Sequence, residues 1–191
     1  MNTKQAATLA LIGLLVVVAL AASAESFLST SPANITYSVP ASAVHASLRE
    51  TAVGGTIALR LNGISDTSNP ATSSAWVEFN RESQASDVYA FSLTPPPARH
   101  YLVANVTVTN VHHTKISFDY GDFVLIARDG TAYYANYAVC NTGCSAQALK
   151  NRALNATFTS DLYVLFSVPT GTLPTQVAYT GTDRPIVMSS T

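Results

Sequence analysis

The sequence contains little of the chemistry that enzymes and nucleic-acid-binding proteins use. Charged residues make up 11% of the chain, and its 10 Lys and Arg residues, balanced by 11 Asp and Glu residues, form no cluster. A surface without a basic patch lacks the electrostatic footprint needed to bind nucleic acid. No Ser, His and acidic residue stand together in a recognisable nucleophile motif. The sequence therefore predicts a protein that is not an enzyme, has no catalytic residues, needs no cofactor and does not bind nucleic acid.

Potential metal ligands are also scarce. The chain has 4 His residues, of which His112 and His113 are adjacent and have Asp119 and Asp122 nearby in sequence. Adjacent residues on an extended chain point to opposite sides, so the two imidazoles do not converge easily on one ion. We therefore predict a solvated loop at His112 and His113 and no metal site.

Long apolar runs are absent except at the N-terminus. Lys4, the apolar run 6–22 and the tripeptide Ala22-Ser23-Ala24 form the pattern of a secretory signal segment with an A-x-A cleavage site. We expect residues 1–24 to be removed, so that the mature chain begins at Glu25. The alternative is a retained anchor, although the run is shorter than the roughly 20 strongly apolar residues that a membrane span prefers. Either alternative predicts a secreted, extracellular or cell-surface protein.

The 2 cysteines, Cys140 and Cys144, lie in the run Cys-Asn-Thr-Gly-Cys. In an exported protein such a pair forms a disulfide by default, whereas redox pairs favour C-x-x-C spacing and metal sites need further ligands. Three sequons make Asn34, Asn105 and Asn155 candidates for N-glycosylation. Because Ser and Thr are abundant, such tripeptides also arise by chance, and both interpretations stay open.

Period-two alternation and turn residues dominate the mature chain and predict β structure throughout. The clearest strand is 101–110, in which residues 102, 104, 106 and 108 are apolar and Asn105, Thr107 and Thr109 share the other, solvent face. Asp129-Gly130 predicts a hairpin turn between strands 123–127 and 131–134. Residues 137–153 are predicted to form a long loop that contains both cysteines. Further strands are predicted at 56–64, 75–80, 162–168, 176–179 and 185–188. Short, regularly spaced strands predict a sandwich of two antiparallel sheets.

Several motifs in the second half of the chain resemble a known family. They are a strand ending in Asn (VANVTVTN), an aromatic-Asp-Phe stretch and turn (ISFDYGDFVLIARDG), the strand TAYY, and the tail NATFTSDLYVLFSVPTGTLPTQVAYTG. Together they resemble DUF4352, an exported bacterial and archaeal domain family related to the secreted mycobacterial antigen MPT63. The resemblance spans about residues 46–188 and implies an immunoglobulin-like antiparallel β-sandwich without catalytic residues. Many members are lipoproteins, but no lipid-bearing cysteine follows the cleavage site here.

The predicted organisation is a signal peptide at 1–24, an N-terminal extension at 25–44 and an immunoglobulin-like β-sandwich at 45–191. Within the extension, residues 33–39 alternate strictly, with Ile35, Tyr37 and Val39 on one face. This segment either pairs with its own domain as an edge strand or inserts into a neighbouring copy as a donor strand. A second alternative concerns Tyr133, Tyr134 and Tyr137, which form either an exposed aromatic patch or part of the core.

These observations predict an exported, non-catalytic cell-surface or extracellular module with a binding or structural role. The alternative is a subunit of an extracellular filament that assembles by donor-strand exchange through residues 33–39. The expected partners are other extracellular or cell-surface proteins, including further copies of the same chain in a homopolymer. A membrane is expected as a partner only if the signal segment stays uncleaved.

Overall fold

The computed structural model describes residues 35–66, 95–140 and 152–191. The predicted signal peptide and its cleavage site, Asn34, the predicted strand 75–80 and Cys144 lie outside these residues. The described strands are β1 Ile35–Thr36, β2 Val44–Ala46, β3 Thr51–Gly54, β4 Ile57–Asp66, β5 Arg99–Asn110, β6 Ile116–Phe118, β7 Phe123–Ala127, β8 Thr131–Tyr134, β9 Tyr137–Cys140, β10 Arg152–Leu154, β11 Thr159–Pro169, β12 Pro174–Tyr179 and β13 Ile186–Ser189. A single turn of 3-10 helix, Tyr120–Asp122, precedes β7.

The strands form two main sheets whose inner faces share one core. A six-stranded sheet has the order β1-β8-β7-β12-β13-β2, and a five-stranded sheet has the order β3-β4-β5-β11-β9. Strands β6 and β10 form a separate pair. Neighbouring strands are antiparallel except β2 and β13, which run parallel. The predicted immunoglobulin-like antiparallel β-sandwich is therefore confirmed.

The core forms where alternating apolar residues of neighbouring strands face each other. Strands β5 and β11 pair along eleven positions, which place Leu162 opposite Val106 and Phe166 opposite Leu102. All four of these side chains are buried, as the alternation predicts. Burying one such side chain contributes about 1.5 to 3 kcal/mol, so these two strands carry much of the stability.

The predicted hairpin is present between β7 and β8. The carbonyl of Ala127 accepts a hydrogen bond from the Gly130 amide at 2.9 Å, and Asp129 Oδ1 accepts one from the Thr131 amide at 2.9 Å. Gly130 has φ +83°, a conformation that glycine adopts without a steric penalty. The Asp-Gly sequence therefore specifies this turn through local backbone chemistry.

The prediction of a loop over residues 137–153 is wrong at both of its ends. Residues 137–140 form β9, which pairs with β11 and places Val139 opposite Tyr163. Residues 152–154 form β10, which pairs with β6. All four residues of β9 are buried, so this strand shows no alternation between apolar and polar positions. Residues 141–151 lie outside the described part of the chain.

The prediction that the second face of β5 is exposed to solvent is wrong for the first half of the strand. Tyr101 and Val103 are buried on this outer face with Tyr137, Val139, Tyr163 and Leu165. Tyr120 of the 3-10 helix packs against this cluster, with its ring centroid 6.0 Å from that of Tyr137. Farther along β5, Asn105, Thr107 and Thr109 are half-buried.

Candidate functional site

The segment 35–46, here called the strap, spans the outer face of the six-stranded sheet. At one edge, β1 pairs with β8, and Ile35 lies opposite Ala132. At the other edge, β2 pairs with β13, and Val44 lies opposite Ile186. Residues 35–46 belong to the same compact unit as the rest of the described chain.

The strap packs against a row of apolar side chains on four strands of this sheet. Tyr37, Val39 and Ala43 of the strap are partly buried against this row. The row, here called the apolar face, consists of Val124, Ile126, Ala132, Ala178 and Val187, all of them buried. These side chains point away from the sandwich core, so their burial depends on a covering segment. In this chain the strap covers them.

The strap shows the alternation that the sequence predicts. Thr36 and Ser38 are exposed, whereas Tyr37 and Val39 are half-buried. Burial raises the pKa of the Tyr37 hydroxyl, and the neighbouring Tyr134 raises it further. Ala33 and Asn34, the first two residues of the predicted donor strand, lie outside the described residues. In the single chain the segment therefore lies on its own domain, and exchange with another copy stays a prediction.

The three tyrosines of the hairpin region do not form one exposed patch. Tyr133 and Tyr137 are buried, whereas Tyr134 is 51% exposed. Tyr133 and Tyr137 are therefore part of the core, which was one of the two predicted alternatives. Tyr134 stands apart from them, beside Tyr37 of the strap.

A second candidate site lies on the outer face of the five-stranded sheet and is built around a β-bulge. Strand β4 pairs Leu61 with Val106 and then Gly63 with Asn105, so Asn62 is an extra residue in the ladder. A bulge redirects the side chain of the extra residue, and bulges are enriched next to functional sites. Asn62 Nδ2 donates hydrogen bonds to Asn105 Oδ1 at 3.0 Å and to Thr107 Oγ1 at 2.9 Å.

Thr107 links the polar side chains of three strands. Its hydroxyl accepts from Asn62 and from Arg60 Nη2 at 3.3 Å, and it donates to Asp161 Oδ1 at 2.6 Å. A hydroxyl has one proton and two lone pairs, so its hydrogen-bonding capacity is fully used. Farther along, Thr159 donates to Thr109 at 3.2 Å. These side chains, here called the polar ladder, are Arg60, Asn62, Asn105, Thr107, Thr109, Thr159 and Asp161.

The described sequons occupy different environments. Asn105 is half-buried within the polar ladder, whereas Asn155 is exposed after β10. The turn at Asn155 is closed by a hydrogen bond from the Phe158 amide to the Asn155 carbonyl at 3.2 Å. Glycosylation stays a prediction at Asn34, Asn105 and Asn155, and among the described sequons Asn155 offers its side chain more freely.

The remaining predicted site residues are placed separately from these two surfaces. Cys140 is buried at the end of β9, and its predicted disulfide with Cys144 stays a prediction. His112 and His113 are exposed in the loop after β5, where His112 Nδ1 lies 2.7 Å from Thr114 Oγ1.

Across residues 35–66, 95–140 and 152–191, His, Cys, Asp and Glu side chains form no group of three suited to a metal ion. No helix in these ranges is long and apolar enough to cross a membrane.

The aromatic-Asp-Phe stretch contains the 3-10 helix Tyr120–Asp122 and lies against Tyr179 and Gly181. Asp119 Oδ1 accepts a hydrogen bond from the Gly121 amide at 2.7 Å and so caps the 3-10 helix. Burial raises the pKa of Asp122, and the neighbouring Asp119 carboxylate raises it further. Burial also raises the pKa of Tyr179 well above its ordinary value. A Cβ at Gly181 would collide with the Asp122 carboxylate and the Tyr179 hydroxyl, so a larger residue here requires these side chains to shift.

The polar ladder was only half visible in the sequence. The alternation of β5 identified Asn105 and Thr107, but it did not identify Arg60, Asn62 and Asp161 as their partners. The signal that could have located the bulge is Gly63, because a glycine inside an alternating strand often marks one. The hydrogen bond from Asn62 to Thr107 joins residues 45 positions apart, which local periodicity does not connect.

Comparison with known proteins gives similarities of fold. No family model matches the chain, and no curated protein matches it. An uncharacterized β-sandwich protein from Clostridium difficile 630 is 8% identical, with 82% of this chain and 99% of that chain covered and a TM-score of 0.47. The secreted protein MPT63 from Mycobacterium tuberculosis is 13% identical, with 78% of this chain and 99% of that chain covered and a TM-score of 0.48. The resemblance to DUF4352 itself stays a prediction.

Proposed function

We propose that the protein is an exported, non-catalytic member of the DUF4352 family that acts as a binding or structural module outside the cytoplasm. Export is supported by the signal pattern in residues 1–24. The binding role rests on the polar ladder, in which the bulge at Asn62 aims an amide at two side chains of the neighbouring strand β5. Donors and acceptors held on strands are more precisely positioned than those on loops.

The polar ladder fits a partner surface rich in hydroxyl and amide groups. Arg60 is exposed at one side of the ladder, and the Asp161 carboxylate is half-buried at the other. Because the ladder side chains already hold one another in place, little conformational entropy is lost on binding. The proposed partner is the polar surface of another extracellular or cell-surface protein.

A rebinding experiment tests this proposal. Labelled mature protein is added to cells stripped of the native protein, and binding is compared between the native chain and the Asn62→Leu variant. We expect at least tenfold weaker binding by the variant, because it removes the amide that bonds Asn105 and Thr107. Circular dichroism and thermal melting confirm that the variant is folded.

The matched control is Asp183→Asn, a change at an exposed residue outside the polar ladder. This variant should bind like the native chain. Equal binding by Asn62→Leu and the native chain would contradict the proposed binding surface. Retention of the native protein in the cytoplasm would contradict the proposed export.

A second candidate function is a filament subunit, supported by the strap. In the single chain the strap pairs with β8 through β1 and covers the apolar face. The same segment of a neighbouring copy therefore has a complementary surface to bind. Electron microscopy and size-exclusion chromatography should show filaments of the mature chain and monomers after deletion of residues 25–44. A mature chain that stays monomeric at high concentration contradicts this function.

A further inference from the structure

The two ends of the strap are attached to the domain in different ways. The β2 end belongs to the core: Ala46 is buried with the core side chains, and Val44 packs against them. The Val44 amide also donates a hydrogen bond to the Pro185 carbonyl at 2.8 Å. The β1 end, in contrast, pairs through two residues and packs on the outer apolar face. If one end of the strap leaves the domain, it is the β1 end.

A turn separates these two ends. The Ala43 amide donates a hydrogen bond to the Pro40 carbonyl at 3.0 Å, and the intervening Ala41 and Ser42 are exposed. A change of backbone angles in this turn therefore breaks one hydrogen bond of the turn and leaves β2 paired with β13. Short exposed connections of this kind act as hinges when an element is exchanged between copies.

The strap also has little spare length. Thr36 and Val44 lie at opposite edges of six strands, a separation of about 24 Å at about 4.8 Å per strand interval. Four extended residue steps from Thr36 to Pro40 span about 13 Å, and the turn and the step to Val44 add about 10 Å. The chain is thus close to its limit when the strap lies on its own sheet. Exchange to a second copy relieves that limit without changing the contacts of the strap.

We infer that residues 35–39 exchange between copies by hinging at the Pro40–Ala43 turn. The β1 strand of one chain pairs with β8 of the next, and Tyr37 and Val39 cover the apolar face of that next chain. Strand β2 stays paired with β13 of its own chain. This inference rests on the proposed filament function and specifies its partner, its acceptor strand and its hinge.

The first test changes the length of the hinge. Deletion of Ala41 and Ser42 leaves the strap too short to span its own sheet. At the same protein concentration, a larger fraction of this variant than of the native chain should therefore be associated. Insertion of a Gly-Ser-Gly-Ser segment between the same residues lengthens the strap, so this matched variant should contain a larger fraction of monomer than the native chain. Light scattering after size-exclusion chromatography measures both. Equal association by the two variants would overturn the hinge.

The second test identifies the pairing. Thr36 and Thr131 are directly opposite in the β1–β8 register, so Thr36→Cys and Thr131→Cys are introduced into separate chains. After mixing and oxidation, exchange predicts a disulfide-linked dimer of the two variants on a non-reducing gel. The native chain shows the background from its own cysteines. In the control, Gln176→Cys replaces Thr131→Cys. The strand partners of Gln176 are Ser189 of β13 and Ile126 of β7, so no linked dimer should form.

The outcomes separate this inference from the broader proposal. Association of the hinge-deletion variant without the Thr36–Thr131 link means that another surface joins the copies, and the inference falls. A link in the mixture together with no filaments in the native extracellular fraction keeps the exchange but overturns the filament function. Failure of export or of binding through the polar ladder leaves the exchange result unchanged.

Discussion

The outer faces of the two sheets differ in how their side chains are satisfied. On the six-stranded sheet the outward side chains are apolar and are buried under the strap. On the five-stranded sheet half of the outer face carries the polar ladder, whose members hydrogen-bond to one another. An apolar face must be covered to contribute about 25 cal/mol per Å². A polar face whose groups hydrogen-bond to one another does not need to be covered by another segment, so it stays available to a partner.

The largest effect should follow from placing a charge on the apolar face. Val124 is fully buried, so Val124→Asp puts a carboxylate in an environment with no provision for charge. We expect a loss of about 3 kcal/mol or more in the free energy of unfolding, measured by urea denaturation. The matched change on the polar face, Thr109→Asp, should cost less than about 1 kcal/mol. Similar losses at the two positions would remove the distinction between the faces.

The next effect concerns the β9 edge of the five-stranded sheet, where Cys140 lies. Replacing Cys140 and Cys144 together with Ser should lower the free energy of unfolding by about 1 to 3 kcal/mol if the predicted disulfide closes that edge. Far-ultraviolet circular dichroism should still show a folded β protein, because the core comes from strands such as β5 and β11. Free thiols in the unreduced native protein would refute the disulfide.

Thr107→Val tests whether the polar ladder acts as a connected network. The change keeps the shape of the side chain but leaves Asn62, Arg60 and Asp161 without their shared partner. We expect a loss of about 1 to 2 kcal/mol in the free energy of unfolding. Thr109→Val, which removes a single bond to Thr159, should cost less. If Thr109→Val costs as much as Thr107→Val, Thr107 has no special linking role.

The smallest effect is a pH dependence of strap closure. Burial and the neighbouring Tyr134 raise the pKa of Tyr37 above its ordinary value of about 10. A raised folded-state pKa adds stability that is complete below the ordinary value and is lost as pH rises through the folded-state value. Hydrogen exchange of the β8 amides should therefore accelerate above about pH 10. Tyr37→Phe should remove this extra acceleration, and an unchanged pH profile would contradict the assignment to Tyr37.

The sequence by itself determined the strands whose two faces differ in polarity. The alternation in β5 and β11 identified core residues such as Val106 and Phe166, because burial of one face leaves a period of two in the chain. The turn at Asp129-Gly130 was equally local, since it depends on the backbone freedom of a single glycine. The resemblance to a family of exported proteins predicted a β-sandwich, and this is the fold that the strands form.

The tertiary structure decided which strands are neighbours and what covers their outer faces. Strand β9 was missed because all of its residues are buried and it has no polar face. The parallel pairing of β2 with β13, the crossing of the strap and the partners of Asn62 join residues far apart in sequence. Periodicity reports the direction in which a side chain points, but not the segment that meets it. The packing of the folded chain therefore determined both candidate surfaces.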